Sequence, residues 1–206
     1  MNEKLRLLVT ADCPNNCPKC CNNQFSLSKL PIVDRINYKE IMITGGEPLY
    51  HLRSDRYRFH SHNKVLEIAN AIKDIWDVSG WEGKIYIYTA TKDLSAIIAV
   101  INSRGFDGIV YTPHDHQDVS NLFALTLILP YHLERRLKRT DIKNHDFSLR
   151  LNLFPEIITI MENNFSREEI NNVYDVWNVK NINWVDNCPI PEGEDFRRIH
   201  KLIRYK

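Results

Sequence analysis

Short runs dense in aliphatic and β-branched residues alternate along the chain with longer stretches whose apolar positions recur every three to four residues. That succession predicts a parallel α/β sheet. The first predicted strand covers residues 5–10 and empties into residues 11–23, a stretch rich in Pro and Asn that cannot be regular structure. Residues 41–44 read as a buried second strand ending in Gly45-Gly46-Glu47-Pro48. Residues 63–78 carry apolar side chains at 65, 66, 68, 69, 72, 75 and 76, one face of a helix with Asn63 as its cap. A third strand is predicted over 84–90, a helix over 92–104 stopped by Gly105, and a fourth strand over 107–112. Residues 118–144 read two ways, because Pro130 interrupts any single helix and 125–129 also fits a strand. A fifth strand over 148–154 follows, then a helix over 166–177 opened by a Ser166/Glu169 capping box, and a sixth strand over 181–185. The tail, 197–206, reads as a basic helix or a frayed end.

Six strands with their connections make up most of a (β/α) barrel, and such sheets place ligand sites at the carboxyl ends of the strands. The cysteine-rich loop follows the first strand and the double glycine follows the second. The two loops are therefore expected to be neighbours on one face. At about 150 residues per domain, 206 residues make one domain, with a core at about 5–186 and a C-terminal extension over 187–206.

Charge and composition narrow the function classes. With 27 basic and 26 acidic side chains, the chain carries no strong nucleic-acid signal. The basic run His132, Arg135, Arg136, Lys138, Arg139 and Lys143 is interrupted by Glu134 and Asp141 and reads as a solvated helix face. The longest apolar run, 123–129, is far short of the roughly 20 residues that span a bilayer. Residues 1–6 carry charges and lack the pattern of a signal peptide, so a cytoplasmic location is expected.

Four of the five cysteines, Cys13, Cys17, Cys20 and Cys21, fall within nine residues, and Cys188 stands apart. Such clustering points to metal or redox chemistry rather than a disulfide framework. Cys13, Cys17 and Cys20 offer three thiolates from one loop, which suits an iron-sulfur cluster with one open iron; zinc and plain thiols stand as alternatives. Cys21 is a spare, because adjacent cysteines diverge. Of seven glycines, Gly45 and Gly46 are adjacent, which marks either a tight turn or a close backbone approach.

Cys13-Pro14-Asn15-Asn16-Cys17-Pro18-Lys19-Cys20 together with Thr44-Gly45-Gly46-Glu47-Pro48 resembles the radical S-adenosylmethionine superfamily, whose fold is a partial (β/α)6 barrel. The resemblance implies a 4Fe-4S cluster on Cys13, Cys17 and Cys20, with S-adenosylmethionine on the open iron. One electron then cleaves the sulfonium to methionine and a 5′-deoxyadenosyl radical that abstracts hydrogen from substrate. It also implies an electron donor such as flavodoxin or ferredoxin. Bulk at Gly45 or Gly46 is expected to exclude the cofactor. By position in the family, Thr44, Glu47, Pro48, Thr89 and Thr112 lie near the cofactor, Arg150 is placed to pair with the methionine carboxylate, and Asn152 to bond the ribose. Lys19 departs from the family, where an aromatic residue often stacks near adenine. Pro18 and Asn22 match a variant found in activases of anaerobic ribonucleotide reductase.

The substrate stays open between two enzyme readings. An activase would form a glycyl radical on a large partner protein. A small-molecule enzyme resembling 7-carboxy-7-deazaguanine synthase would act on a metabolite, with Arg53, Arg58, Arg135 and Arg136 as phosphate or carboxylate clamps. His51, His60, His62 and Asp55 lie in a loop facing the expected site, and His114, Asp115 and His116 end the fourth strand. Cys188 reads as a structural thiol. The reading from a different class is a non-catalytic zinc-binding interaction module, which would have no use for Gly45 to Pro48.

Overall fold

The computed structural model describes residues 3–15, 26–50, 61–139, 146–182 and 193–203. Seven strands form one sheet: β1 (Lys4–Thr10), β2 (Glu40–Gly45), β3 (Lys84–Thr89), β4 (Gly108–Tyr111), β5 (Ser148–Leu153), β6 (Asn178–Asn181) and β7 (Glu194–Ile203). Their order is β6-β5-β4-β3-β2-β1-β7, and every pair is parallel. Five α-helices connect them: α1 (Ser61–Ser79), α2 (Leu94–Ile101), α3 (His116–Leu137), α4 (Pro155–Asn164) and α5 (Arg167–Val176). The chain is thus a single α/β domain. Among the described residues no helix is long and apolar enough to cross a membrane.

Neighbouring strands from β1 to β6 follow chain order, so right-handed crossovers put every helix on the same side. The core bears this out. Leu5, Leu7, Ile41, Ile43, Ile85, Ile87, Ile109 and Leu151 join Ala69, Ile97, Leu122, Ile157 and Val173 of the five helices in one buried cluster. The alternate strand positions face the other way and form a separate small cluster of Met42, Tyr86 and Val110 with Tyr88 packed on it. On that second face Arg150 of β5 reaches Glu40 of β2 at 3.3 Å. Strands three places apart in a flat sheet are separated by about 14 Å, so the sheet curls with this face on the inside.

Several elements depart from the sequence pattern. Pro130 lies inside α3, which runs unbroken through it. Pro130 is exposed, while Leu122, Phe123, Leu125, Thr126 and Leu129 are buried on the other side, so tertiary packing outweighs the missing backbone bond. The sixth strand is Asn178–Asn181, not 181–185, and residues 183–185 lie outside the described set. Helix α4 fills a stretch to which no element was assigned, with Pro155 at its start and Ile157 and Met161 one turn apart on its buried face. The tail is neither helix nor frayed end over Glu194–Ile203: it is a strand paired in parallel with β1. The capping box at Ser166 and Glu169 forms as expected.

Candidate functional site

The candidate site is built where β1 and β2 leave the sheet. Their register slips between Leu8 and Thr10, which brings Thr10 opposite Gly45. Beyond the slip, the Gly46 amide donates to the Thr10 carbonyl and the Glu47 amide to the Asp12 carbonyl, both at 2.9 Å. Thr10 is pinned from the other side too. Its hydroxyl donates to the Ile203 carbonyl at 2.9 Å and accepts from the Asp12 amide at 3.1 Å. Cys13 follows at once, exposed, its sulfur accepting from the Asn15 amide at 3.4 Å. The expected adjacency of the two loops is therefore a set of backbone bonds. Cys17, Cys20, Cys21 and Cys188 lie outside the described residues, as do His51, Arg53, Asp55, Arg58 and His60.

The two glycines meet the expected close backbone approach, and what approaches them is the start of the cysteine loop. A Cβ on Gly45 would stand 2.3 Å from the Thr10 carbonyl oxygen, and one on Gly46 would stand 2.1 Å from that of Asp12. Gly45 also has φ +156°, a conformation L side chains rarely adopt. Bulk was expected to exclude a cofactor. It would first collide with the start of the cysteine loop.

Glu47 turns inward. It is 3% exposed, and its carboxylate accepts from the Thr89 hydroxyl at 2.6 Å, the Ala90 amide at 2.7 Å and the Leu49 amide at 3.0 Å. Burial pushes its carboxyl up to about 7, against the pull of those three donors. Glu47 and Thr89 thus form a bracket that ties the glycine loop to the end of β3. Thr89 also accepts from the Thr91 amide at 3.0 Å. Pro48 is buried beside them.

Thr44, Thr112 and Asn152 share the parity of the inner face, near the carboxyl ends of β2, β4 and β5. The Asn152 amide donates to the Thr112 hydroxyl at 3.2 Å, and both side chains are buried. Arg150 points elsewhere. Its guanidinium lies 3.9 Å from the Tyr86 ring centre and donates to Glu40, the first residue of β2, so it reaches toward the amino ends of the strands and away from Gly45.

No family model matches the chain, and neither a curated protein nor a solved structure is significantly similar to it. Among the described residues no three His, Cys, Asp or Glu side chains gather as a metal site. The described thiol, Cys13, is one of three expected ligands, and it stands beside a backbone ledge fixed by hydrogen bonds.

Other expected groups have structural tasks. Asp115 caps α3 by accepting from the Asp118 amide at 2.8 Å and pairs with Lys92 at 2.6 Å. The His114 ring lies 5.7 Å from Phe154. Arg136 is no solvated clamp: it is 1% exposed and donates to the carbonyls of Ile101, Ser103 and Phe106 at 2.6, 2.7 and 2.8 Å. Arg139 likewise donates to the carbonyl of Asn102, so the basic run closes the C-terminal end of α2. Sequence reasoning passed over Arg6, Glu40, Tyr86, Tyr88 and Glu194 on the inner face. The signal was present at Arg6, a charge between Leu5 and Leu7 in an otherwise apolar strand.

Proposed function

We propose that the chain is a radical S-adenosylmethionine enzyme, with a 4Fe-4S cluster on Cys13, Cys17 and Cys20 and S-adenosylmethionine on the ledge from Thr44 to Pro48. The observation that carries this reading is the pair of 2.9 Å bonds from Gly46 to Thr10 and from Glu47 to Asp12. They join the two motifs into one rigid unit immediately before the first thiol. A zinc knuckle would need no such unit.

The residues present fit the group. Cys13 offers an exposed sulfur next to the ledge, and the glycines leave that ledge free of side chains. When bound, the cluster would supply the electron for reductive cleavage of S-adenosylmethionine and hence for radical hydrogen abstraction from substrate. The chain's own residues do the positioning. Glu47 and Thr89 hold the ledge against β3, and Thr10 holds the root of the cysteine loop against β7. The Asn152–Thr112 pair presents an amide and a hydroxyl suited to ribose hydroxyls. The consecutive strand order and the curl of the sheet support the finer reading of the fold as a partial (β/α)6 barrel of this family, extended by β7. The reaction takes a one-electron donor such as flavodoxin or ferredoxin, which a cytoplasmic location would provide.

Anaerobic reconstitution with iron and sulfide tests the reading. The expected result is a broad sulfide-to-iron charge-transfer absorbance and, after reduction, release of 5′-deoxyadenosine from S-adenosylmethionine, both lost in Cys13→Ala. Tetrahedral zinc held by Cys21 as a fourth ligand, with no cleavage on reduction, would favour the interaction module and sink the enzyme.

A further inference from the structure

The inner face of the sheet carries two arginines seated on tyrosines, and they are not equivalent. Arg6 lies 5.6 Å from the Tyr88 ring centre and is closed off by Glu194, with side-chain exposures of 14% and 10%. Arg150 lies closer to its ring, 3.9 Å from the centre of Tyr86, yet its side chain is 30% exposed. Its carboxylate partner is Glu40 at 3.3 Å, which is shared with Lys4 at 3.2 Å. A guanidinium has five N–H donors in a planar fork, so among the described residues a long bond to a shared carboxylate and the contact with Tyr86 leave part of that fork unspent. Stacking on Tyr86 fixes the plane of the fork in advance, which lowers the entropy lost on binding. Lys4 and Arg150 share Glu40 and leave one cation in excess, whereas Arg6 and Glu194 balance each other. One bound anion would neutralise that excess.

We propose that Arg150 is the anion-recognising residue of a binding site on the inner face, toward the amino ends of the strands, and that its ligand is a small metabolite bearing a carboxylate or phosphate. The fork leaves Glu40 to Lys4 and takes the ligand's anion in a two-point bond, while Tyr86 keeps the guanidinium in plane.

The test is a titration of the full, metal-free chain, followed by NMR of the arginine Nε–Hε signals, with benzoate and inorganic phosphate as separate probes. The Arg150 signal is expected to move with at least one probe; benzoate alone assigns a carboxylate, and phosphate binding assigns a phosphate. Glu40→Gln should tighten that binding several-fold, because it removes the competing acceptor. Arg150→Lys, which keeps the charge and loses the fork, should weaken it by about tenfold. An Arg150 signal unmoved by both probes, or a Glu40→Gln chain that binds no tighter than wild type, overturns the proposal. The titration needs no cluster, so cleavage of S-adenosylmethionine without an Arg150 shift would sink the anion site alone. A shift without cleavage would sink the enzyme reading and leave an anion-binding site.

Discussion

Glu47 is held by donors alone: among the described residues no cation pairs with it, and two amides and a hydroxyl converge on its carboxylate. Its carboxyl, ordinarily near 4.5, titrates at about 7 in the folded chain. The folded state therefore keeps a proton that the unfolded state has lost between those values. Its contribution to stability is complete below pH 4.5 and falls away as pH rises to about 7, by about 3 kcal/mol. Glu47→Gln removes that titration but turns an NH2 toward an N–H or O–H donor, at a cost of about 1–3 kcal/mol. Urea unfolding of both chains at several pH values should show the advantage of the wild-type chain shrinking by about 3 kcal/mol from pH 4.5 to pH 7.5, enough to close or reverse it. A constant gap would mean that Glu47 titrates normally. Glycine supplies a second contrast. Gly46→Ala places a methyl 2.1 Å from backbone and should cost more than about 2 kcal/mol, whereas Gly80→Ala meets nothing within 4 Å and pays only for its φ of +69°, about 1 kcal/mol. Thermal melts of the two variants check the order. Both loops of the site were legible as motifs, yet the purpose of each residue in them was not. What presses on Gly46 is Asp12, and what Glu47 holds is Thr89, partners 34 and 42 residues away along the chain that no local pattern reveals.

Helix α3 shows the same logic one level up. Pro130 removes a backbone donor, and four residues earlier the Thr126 hydroxyl donates to the Leu122 carbonyl at 2.8 Å while accepting from the Trp177 indole at 3.0 Å. Side-chain bonds to the preceding turn accompany bent helices, so the Thr126–Pro130 step is where α3 can curve around the sheet. Toward its other end, Arg136 spends its guanidinium on the last carbonyl of α2, that of Ile101, and on two carbonyls of the loop after it. Arg136→Met should cost about 3 kcal/mol or more in denaturant unfolding, because those buried carbonyls lose their donors. Its exposed neighbour is the control: Arg135→Met should stay within about 0.5 kcal/mol. Equal effects would make Arg136 a surface residue after all. Strands β1 to β5 were legible because alternation has one buried face of aliphatic residues in each. The seventh strand was not, since its polar residues find partners only in the folded chain: Glu194 meets Arg6, Asp195 meets Tyr38 at 2.6 Å, and Arg197 meets Asp34 at 2.9 Å.

At the scale of the molecule, the decisive feature is that β7 turns the outer edge of β1 into the interior of the sheet. β1 carries the root of the cysteine loop, and an edge strand would leave its outward N–H and C=O groups unpaired and free to recruit another chain. With β7 in place, that edge pairs from Lys4 with Glu194 to Thr10 with Ile203, and residues 31–33 bond in turn to the far side of β7 through Arg198. A chain ending at residue 193 loses all of this together: the pairing of β1, the carbonyl that anchors the Thr10 hydroxyl, and the carboxylate that neutralises Arg6 on the inner face. Removing one partner of a largely buried ion pair while exposing a sheet edge should leave the shortened chain aggregated, which gel filtration would detect as material beyond the monomer. The milder Asp195→Asn keeps the strand and weakens the bond from Tyr38 and the 3.0 Å pair with Arg197, so it should remain monomeric and lose about 1–2 kcal/mol. A shortened chain that stays monomeric, with an unchanged far-UV spectrum and melting point, would show that the seventh strand is an appendage rather than a wall of the site.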